Sequence, residues 1–289
     1  MLLLHRRSSL ILRLLLFPLL LGILVAPALL ITSQVLQLFC GTLIFIGLLA
    51  VWARKVDQVD IRRYGLALES RGLWDFLAGI VIGTAAVAGI FALSFMLGFV
   101  QTFGVNGFAV ALPLLLLLVN TLLVALWEEA FFRGFLLINL SEGLGNVLGP
   151  RNGVAAAVLI SSVLFGMAHA FTDHFSWPAF AILTMNGMVW CIPVLLTGRL
   201  AISVGLHASW NFAQLKIFGF AMSGNAPTDA WMSVDLAAPT FWSGGDFGPE
   251  AGLMGVMGLI FMLAITCLYC VLTRRGRIPP FKDVKRQGT

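Results

Sequence analysis

Eight apolar runs, each near the ~20 residues that a helix needs to cross a bilayer, recur along the chain at about 14–31, 35–53, 76–100, 108–126 with a helical extension to 140, 154–170, 177–197, 201–220 and 252–272. Lipid offers no hydrogen-bond partner to the backbone, so only helices and closed barrels span it. These continuous runs lack the period-2 alternation of barrel strands. The expected fold is therefore an all-α integral membrane bundle of about eight transmembrane helices. Composition agrees, with 60% hydrophobic and 11% charged residues, against roughly 25% charged in soluble domains. That leaves too little polar surface for a soluble globule and far too much apolar content for a disordered chain.

Short cytoplasmic loops accumulate Lys and Arg, which orients the bundle. With an even number of spans both termini share one side. That side collects Arg6, Arg7 and Arg13, then Arg54, Lys55, Arg62, Arg63 and Arg71, then Arg133 and Arg151, then Arg199, and finally Arg274, Arg275, Arg277, Lys282, Lys285 and Arg286. Of the 18 basic residues only Lys216 is left near the other face, which receives Asp173, Asp229, Asp235, Asp246 and Glu250. Both termini are expected in the cytoplasm. The net charge of +5 thus reports topology, and no interleaving of basic and aromatic residues marks a nucleic-acid surface.

His5-Arg6-Arg7, the apolar run after it and Ala26-Pro27-Ala28 imitate a signal peptide, but the run continues past Ala28 and no exported soluble domain follows. Between Arg54 and Asp75, charges interleave with Val56, Val59, Ile61, Leu66 and Leu68, a pattern suited to a segment lying at the cytoplasmic interface. Cys40, Cys191, Cys267 and Cys270 lie in apolar stretches and read as small hydrophobes.

Ionisable groups inside spans cost about 2.5 to 3.5 kcal/mol each on insertion scales, which makes them functional candidates. The fourth span carries Trp127-Glu128-Glu129-Ala130-Phe131-Phe132-Arg133, the fifth Phe165 to His169, and the seventh His207-Ala208-Ser209-Trp210-Asn211. Glu129 and Arg133, four apart, share a helix face in the orientation that pairs acid with base. Glu128 is turned about 100° away and is not committed to Arg133. His207 and Asn211, also four apart, can point into one pocket. Taken singly, each element has a structural explanation as a buried ion pair, a carbonyl-bonded histidine or a helix-bridging amide. Packing alone does not call for all of them together.

This set supports hydrolysis. A carboxylate can act as general base on a water with a histidine as partner, while an imidazole N–H and an Asn amide can stabilise an oxyanion. One carboxylate and two histidines could equally ligate zinc with a position open for water. No H-E-x-x-H occurs, Ser243-Gly244-Gly245-Asp246 misses G-x-G-D by one residue, and no G-x-S-x-G elbow is present.

The trio E-E-x-x-x-R, F-x-x-x-H and H-x-x-x-N, here Glu128 to Arg133, Phe165 to His169 and His207 to Asn211, resembles the CPBP family of membrane proteins, which includes the CAAX prenyl endopeptidases. The resemblance covers roughly 76–272, and Gly244 to Glu250 is similar to a loop of some bacterial members. It implies an intramembrane endopeptidase acting on a membrane-associated peptide or lipidated protein, prenylated or not, in the bacterial inner membrane. Glu128 would be the water-activating base assisted by His169, and His207 with Asn211 would form the oxyanion site. Glu129 and Arg133 would hold that geometry. No cofactor is favoured, with zinc held by Glu128, His169 and His207 as the alternative mechanism. The domains that follow are 1–75, two helices plus an interfacial segment; 76–272, the helical core; and 273–289, a basic cytoplasmic tail. A non-catalytic immunity or scaffold protein of the same fold is the alternative function.

A rise of ~1.5 Å per residue puts His207 about 9 Å and His169 about 22 Å from the cytoplasmic start of their spans. As drawn, the two imidazoles sit at different depths. Unequal tilts, or a fifth helix that starts outside the bilayer, would bring them level.

Overall fold

The computed structural model describes residues 9–67, 69–106 and 111–273. His5-Arg6-Arg7, Leu68, Phe108 and the basic residues from Arg274 to Arg286 lie outside them. Helix α1 (Ser9–Val25) passes through a 3₁₀ turn into α2 (Gln34–Trp52), and α3 (Ser70–Met96) follows. A composite helix comes next, made of α4 (Ala111–Glu129), a π-helical stretch (Ala130–Leu136) and α5 (Leu137–Leu148). Then come α6 (Pro150–Ala168), α7 (Trp177–Thr197), α8 (Ala201–Phe212) with a further π-helical stretch (Ala213–Ile217), the single turn α9 (Thr240–Ser243) and α10 (Leu253–Thr273); a π-helical turn (Ala53–Asp57) also follows α2. Among the described residues seven helices are long and apolar enough to cross a membrane. Large apolar side chains such as Leu15, Ile23, Trp74, Leu115 and Ile260 cover their outer surface, as lipid contact requires. The fold is an all-α integral membrane bundle.

The expected seventh span, 201–220, has a different character. It is twelve residues of α-helix followed by five of π-helix, short for a bilayer, and every residue from Ile202 to Asn211 is buried. Protein surrounds this helix instead of lipid. Its closest neighbour is α3, where Gly79 and Gly83 are spaced four apart as in the small-residue motifs of membrane helices. A Cβ on Gly79 would come within 2.5 Å of the Ile202 carbonyl oxygen, and one on Gly83 within 2.2 Å of Ser209 Oγ. Two hydrogens in place of side chains thus let α8 lie against the backbone of α3.

Two further boundaries differ from expectation. Helix α3 stops at Met96, and after Gly98 (φ 70°) the chain enters β1 (Val100–Val105), antiparallel to β2 (Met232–Leu236), with Phe103 opposite Val234 and Val105 opposite Met232. The composite helix runs unbroken over the 35 residues Leu114–Leu148, about 52 Å at 1.5 Å per residue, well beyond the ~30 Å hydrocarbon core. Gly149, with φ 81°, reverses the chain, and Pro150 at the first helical position opens α6. Arg133 consequently lies inside a helix, 1% exposed, and drops out of the basic residues counted on the cytoplasmic side.

The interfacial segment is tied down by polar pairs. Arg13 bonds Asp57 at 2.7 Å, the Tyr64 hydroxyl donates to Asp57, Arg63 pairs with Glu142 of α5, and Arg199 bonds Asp75 at 2.7 Å.

Candidate active site

The polar centre forms where the composite helix, α6, α7 and α8 meet. Glu129 ends α4, is fully buried, and accepts from Arg133 Nη1 at 2.9 Å. The same Oε1 accepts from His207 Nδ1–H on α8 at 3.0 Å. Arg133 sends Nη2 to the Gly187 carbonyl at 3.3 Å, and its guanidinium lies over the Phe165 ring at 4.4 Å and the Trp190 ring at 5.4 Å. A buried guanidinium is thus met by one carboxylate, one carbonyl and three π faces, the third being Phe132 at 5.9 Å, which together offset its desolvation. The ion pair read from the i,i+4 spacing is present.

Glu128 differs from its neighbour. Its side chain is 26% exposed, and its Oε2 stands 3.8 Å from His207 Nε2, an ion-pair distance with room between the groups. The adjacent carboxylates are therefore set apart, one locked and one open. Trp127 and Phe131 beside it line an apolar cavity of about 260 Å³ whose other wall is Leu21, Val25 and Leu29.

His207 is stacked face to face on Trp190, with ring centroids 4.1 Å apart and planes at 23°. Ser203 of the same helix donates to the Trp190 carbonyl at 2.9 Å. Asn211 is buried one turn beyond His207.

His169 directly follows α6, and its Nδ1–H donates to the Phe165 carbonyl at 3.0 Å. The Phe165 ring stands edge-on to both imidazoles, 5.0 Å from His169 and 6.2 Å from His207. The depth mismatch drawn from the sequence disappears for a geometric reason. Nineteen residues separate Glu129 from Leu148, and nineteen separate Pro150 from His169. The composite helix and α6 form an antiparallel hairpin with equal arms of about 28 Å. Gly153 meets Gly145 near the turn, where a Cβ would fall 2.3 Å from the Gly145 nitrogen, and Phe165 meets Phe132 at 5.3 Å near the site. The register 145/153 extended up the hairpin is 129/169, so His169 returns to the level of Glu129.

Glu128, His169 and His207 were also the proposed zinc set. Among the described residues no group of three His, Cys, Asp or Glu side chains is placed to hold a metal ion. Both histidines turn Nδ1 to protein acceptors and leave Nε2 as the atom that could ligate, an arrangement that metal-bound histidines also use.

Sequence reasoning missed Trp190, the Gly187 carbonyl and the π-helical turns. An apolar Trp inside an apolar run carries no signal for stacking on a histidine. The backbone widens to π-helix just after Glu129 and just after Phe212, and such turns frequently accompany functional sites.

A bundle of apolar helices closed around a buried polar cluster defines a multi-pass membrane protein. Residues 109–213 match the family model described as type II CAAX prenyl endopeptidase Rce1-like, and over that segment the resemblance to the CPBP family is borne out. The match supports an intramembrane protease fold of the CAAX type and spans every residue from Glu128 to Asn211 discussed above. No curated protein and no solved structure matches the chain.

Proposed function

We propose that the protein is an intramembrane endopeptidase that hydrolyses a peptide bond of a membrane-associated peptide or lipidated protein with a water activated by Glu128. The observation that carries this reading is the division between two adjacent carboxylates. Glu129 Oε1 is occupied by Arg133 and His207, while Glu128 is part-exposed and, among the described residues, stands 3.8 Å from His207 Nε2, beyond hydrogen-bond distance. A water on Glu128 would lose its proton to the carboxylate as its oxygen attacks the carbonyl carbon, and His169, level with the site, would assist. The scissile C–N bond then breaks, and the proton held by Glu128 passes to the leaving amine.

His207 and Asn211 would meet the oxyanion. With Nδ1–H committed to Glu129, His207 donates from Nε2 only when both ring nitrogens carry protons. The Trp190 face beneath the ring suits that cation, and the Glu129 carboxylate, shared with Arg133, holds its Nδ1–H. Glu129 and Arg133 act by holding His207. This division needs no metal, and we favour the glutamate-type mechanism over zinc. The apolar cavity lined by Trp127 and Phe131, the first of them next to Glu128 in sequence, suits a substrate that brings its own hydrocarbon. The similarity of Gly244 to Glu250 to a loop of bacterial members supports placement in the bacterial inner membrane.

The test is cleavage of membrane-anchored peptides, prenylated and unprenylated, by purified protein in lipid. Glu128→Gln should abolish cleavage and leave the amount of folded protein unchanged. Equal behaviour of parent and variant across all substrates overturns the enzyme reading and leaves the immunity or scaffold one.

A further inference from the structure

Outside the site lies a buried carboxylate that the mechanism above does not use. Glu250, in the 3₁₀ turn Pro249–Ala251 before α10, is 3% exposed. Its Oε1 accepts from Trp210 Nε1 at 3.1 Å, and its Oε2 accepts from the Ser223 backbone N–H at 2.9 Å and the Ser223 hydroxyl at 2.7 Å. All three donors are neutral, so burial of this acid is offset by hydrogen bonds alone. A carboxylate is a costly way to fill space. What it provides is two acceptor oxygens facing two different parts of the chain.

Those parts are the turn after α8 and α8 itself. Trp210 lies between His207 and Asn211 in sequence, and its ring packs where a Cβ on Gly258 of α10 would come within 3.0 Å of it. Because successive residues are turned by about 100°, fixing the azimuth of Trp210 fixes the direction of Asn211. Just beyond Asn211 the helix widens into its π-helical stretch, where the Ala213 N–H is shared between the Ser209 and Trp210 carbonyls. The other side-chain anchors within α8 lie on earlier residues, Ser203 on the Trp190 carbonyl, His207 on Glu129 at 3.0 Å and Ser209 on the Gly79 carbonyl at 3.4 Å. Within α8 Glu250 holds the residue nearest to Asn211, and beyond it Gln214 Nε2 donates to the Ala221 carbonyl at 2.7 Å.

We propose that Glu250 is a positioning residue that, through Trp210, sets the rotation of α8 and so aims Asn211 into the site. The proposal rests on the hydrolytic reading above for its kinetic consequence, and its geometric content stands apart from it. Two readouts on the purified full-length protein in lipid separate the two. The first is backbone hydrogen exchange over 207–214, and the second is the kcat and KM of peptide cleavage. Glu250→Gln and Trp210→Phe should each raise exchange in that segment and lower kcat about tenfold with KM changed less than twofold. The double variant should be no worse than the weaker single one, because both changes break one link. Unchanged kcat per folded molecule, or losses that multiply in the double variant, overturn the proposal. A parent that cleaves nothing defeats the hydrolytic reading instead. Exchange then decides alone, and protection over 207–214 equal to the parent's in both variants overturns the proposal.

Discussion

His207 donates from Nδ1 to the same Glu129 oxygen that accepts from Arg133, at 3.0 and 2.9 Å. One buried carboxylate therefore joins the composite helix to α8 and orients an imidazole, while the carboxylate before it in the chain stays open.

Removing either member of the Glu129–Arg133 pair leaves a buried charge without its partner, at a cost of roughly 3 to 5 kcal/mol. Glu129→Ala and Arg133→Ala should each lower the folded protein recovered from membranes, as measured by monodisperse yield and thermal midpoint. Glu128→Ala, at the part-exposed position, should match the parent. Equal accumulation of all three would show that the two carboxylates are not divided as described.

The α3–α8 contact gives a steric prediction. A side chain at Gly83 would begin 2.2 Å from Ser209 Oγ and 2.7 Å from the Leu206 carbonyl oxygen. Because the obstacles include backbone, rotamer changes cannot relieve them. Gly83→Val should destabilise the bundle by several kcal/mol, in the range of severe overpacking, whereas Gly89→Val, with nothing within 4 Å of its Cβ, should be tolerated. Comparison of their thermal midpoints in detergent tests this.

How much was legible in the sequence follows from what each feature depends on. The spans were readable because lipid demands ~20 apolar residues whatever the tertiary fold. The Glu129–Arg133 pair was readable because its spacing is local, as was the separation of Glu128 from it. The length of the composite helix was not, since 141–148 is polar enough to pass for a loop once the bilayer is left behind. That error made His169 look too deep, and only the equal-armed hairpin with Gly145 against Gly153 restores its level. Trp190 beneath His207 and Glu250 beneath Trp210 depend on contacts between distant segments, which periodicity within one helix cannot carry.

The basic-residue asymmetry predicts that both termini are cytoplasmic, and this survives the reassignment of Arg133, since the remaining 16 residues on that side still face a lone Lys216. An enzymatic reporter fused after Thr289 should be active in the cytoplasm and silent outside. Activity on the opposite side would require an odd number of crossings, and α8 would be the first helix to reconsider.

Mechanism gives the sharpest division. If His207 and Asn211 stabilise the oxyanion, Asn211→Ala should leave KM close to the parent's and lower kcat by about 10²- to 10³-fold, the usual effect of deleting one such donor. Chelator should leave the parent's activity unchanged, because Glu128 acts on water directly. A zinc mechanism makes different demands on the same residues. It needs His169 and His207 to bring Nε2 to a common point with Glu128, it should fail on chelation and recover on zinc addition, and purified protein should carry about one ion per chain. Asn211 would then lie outside the ligand set, and its removal should leave the bound zinc in place. Stoichiometric zinc in the parent that is lost in Glu128→Gln would overturn the glutamate mechanism, and full activity of metal-free protein together with a large Asn211→Ala defect would exclude the zinc one.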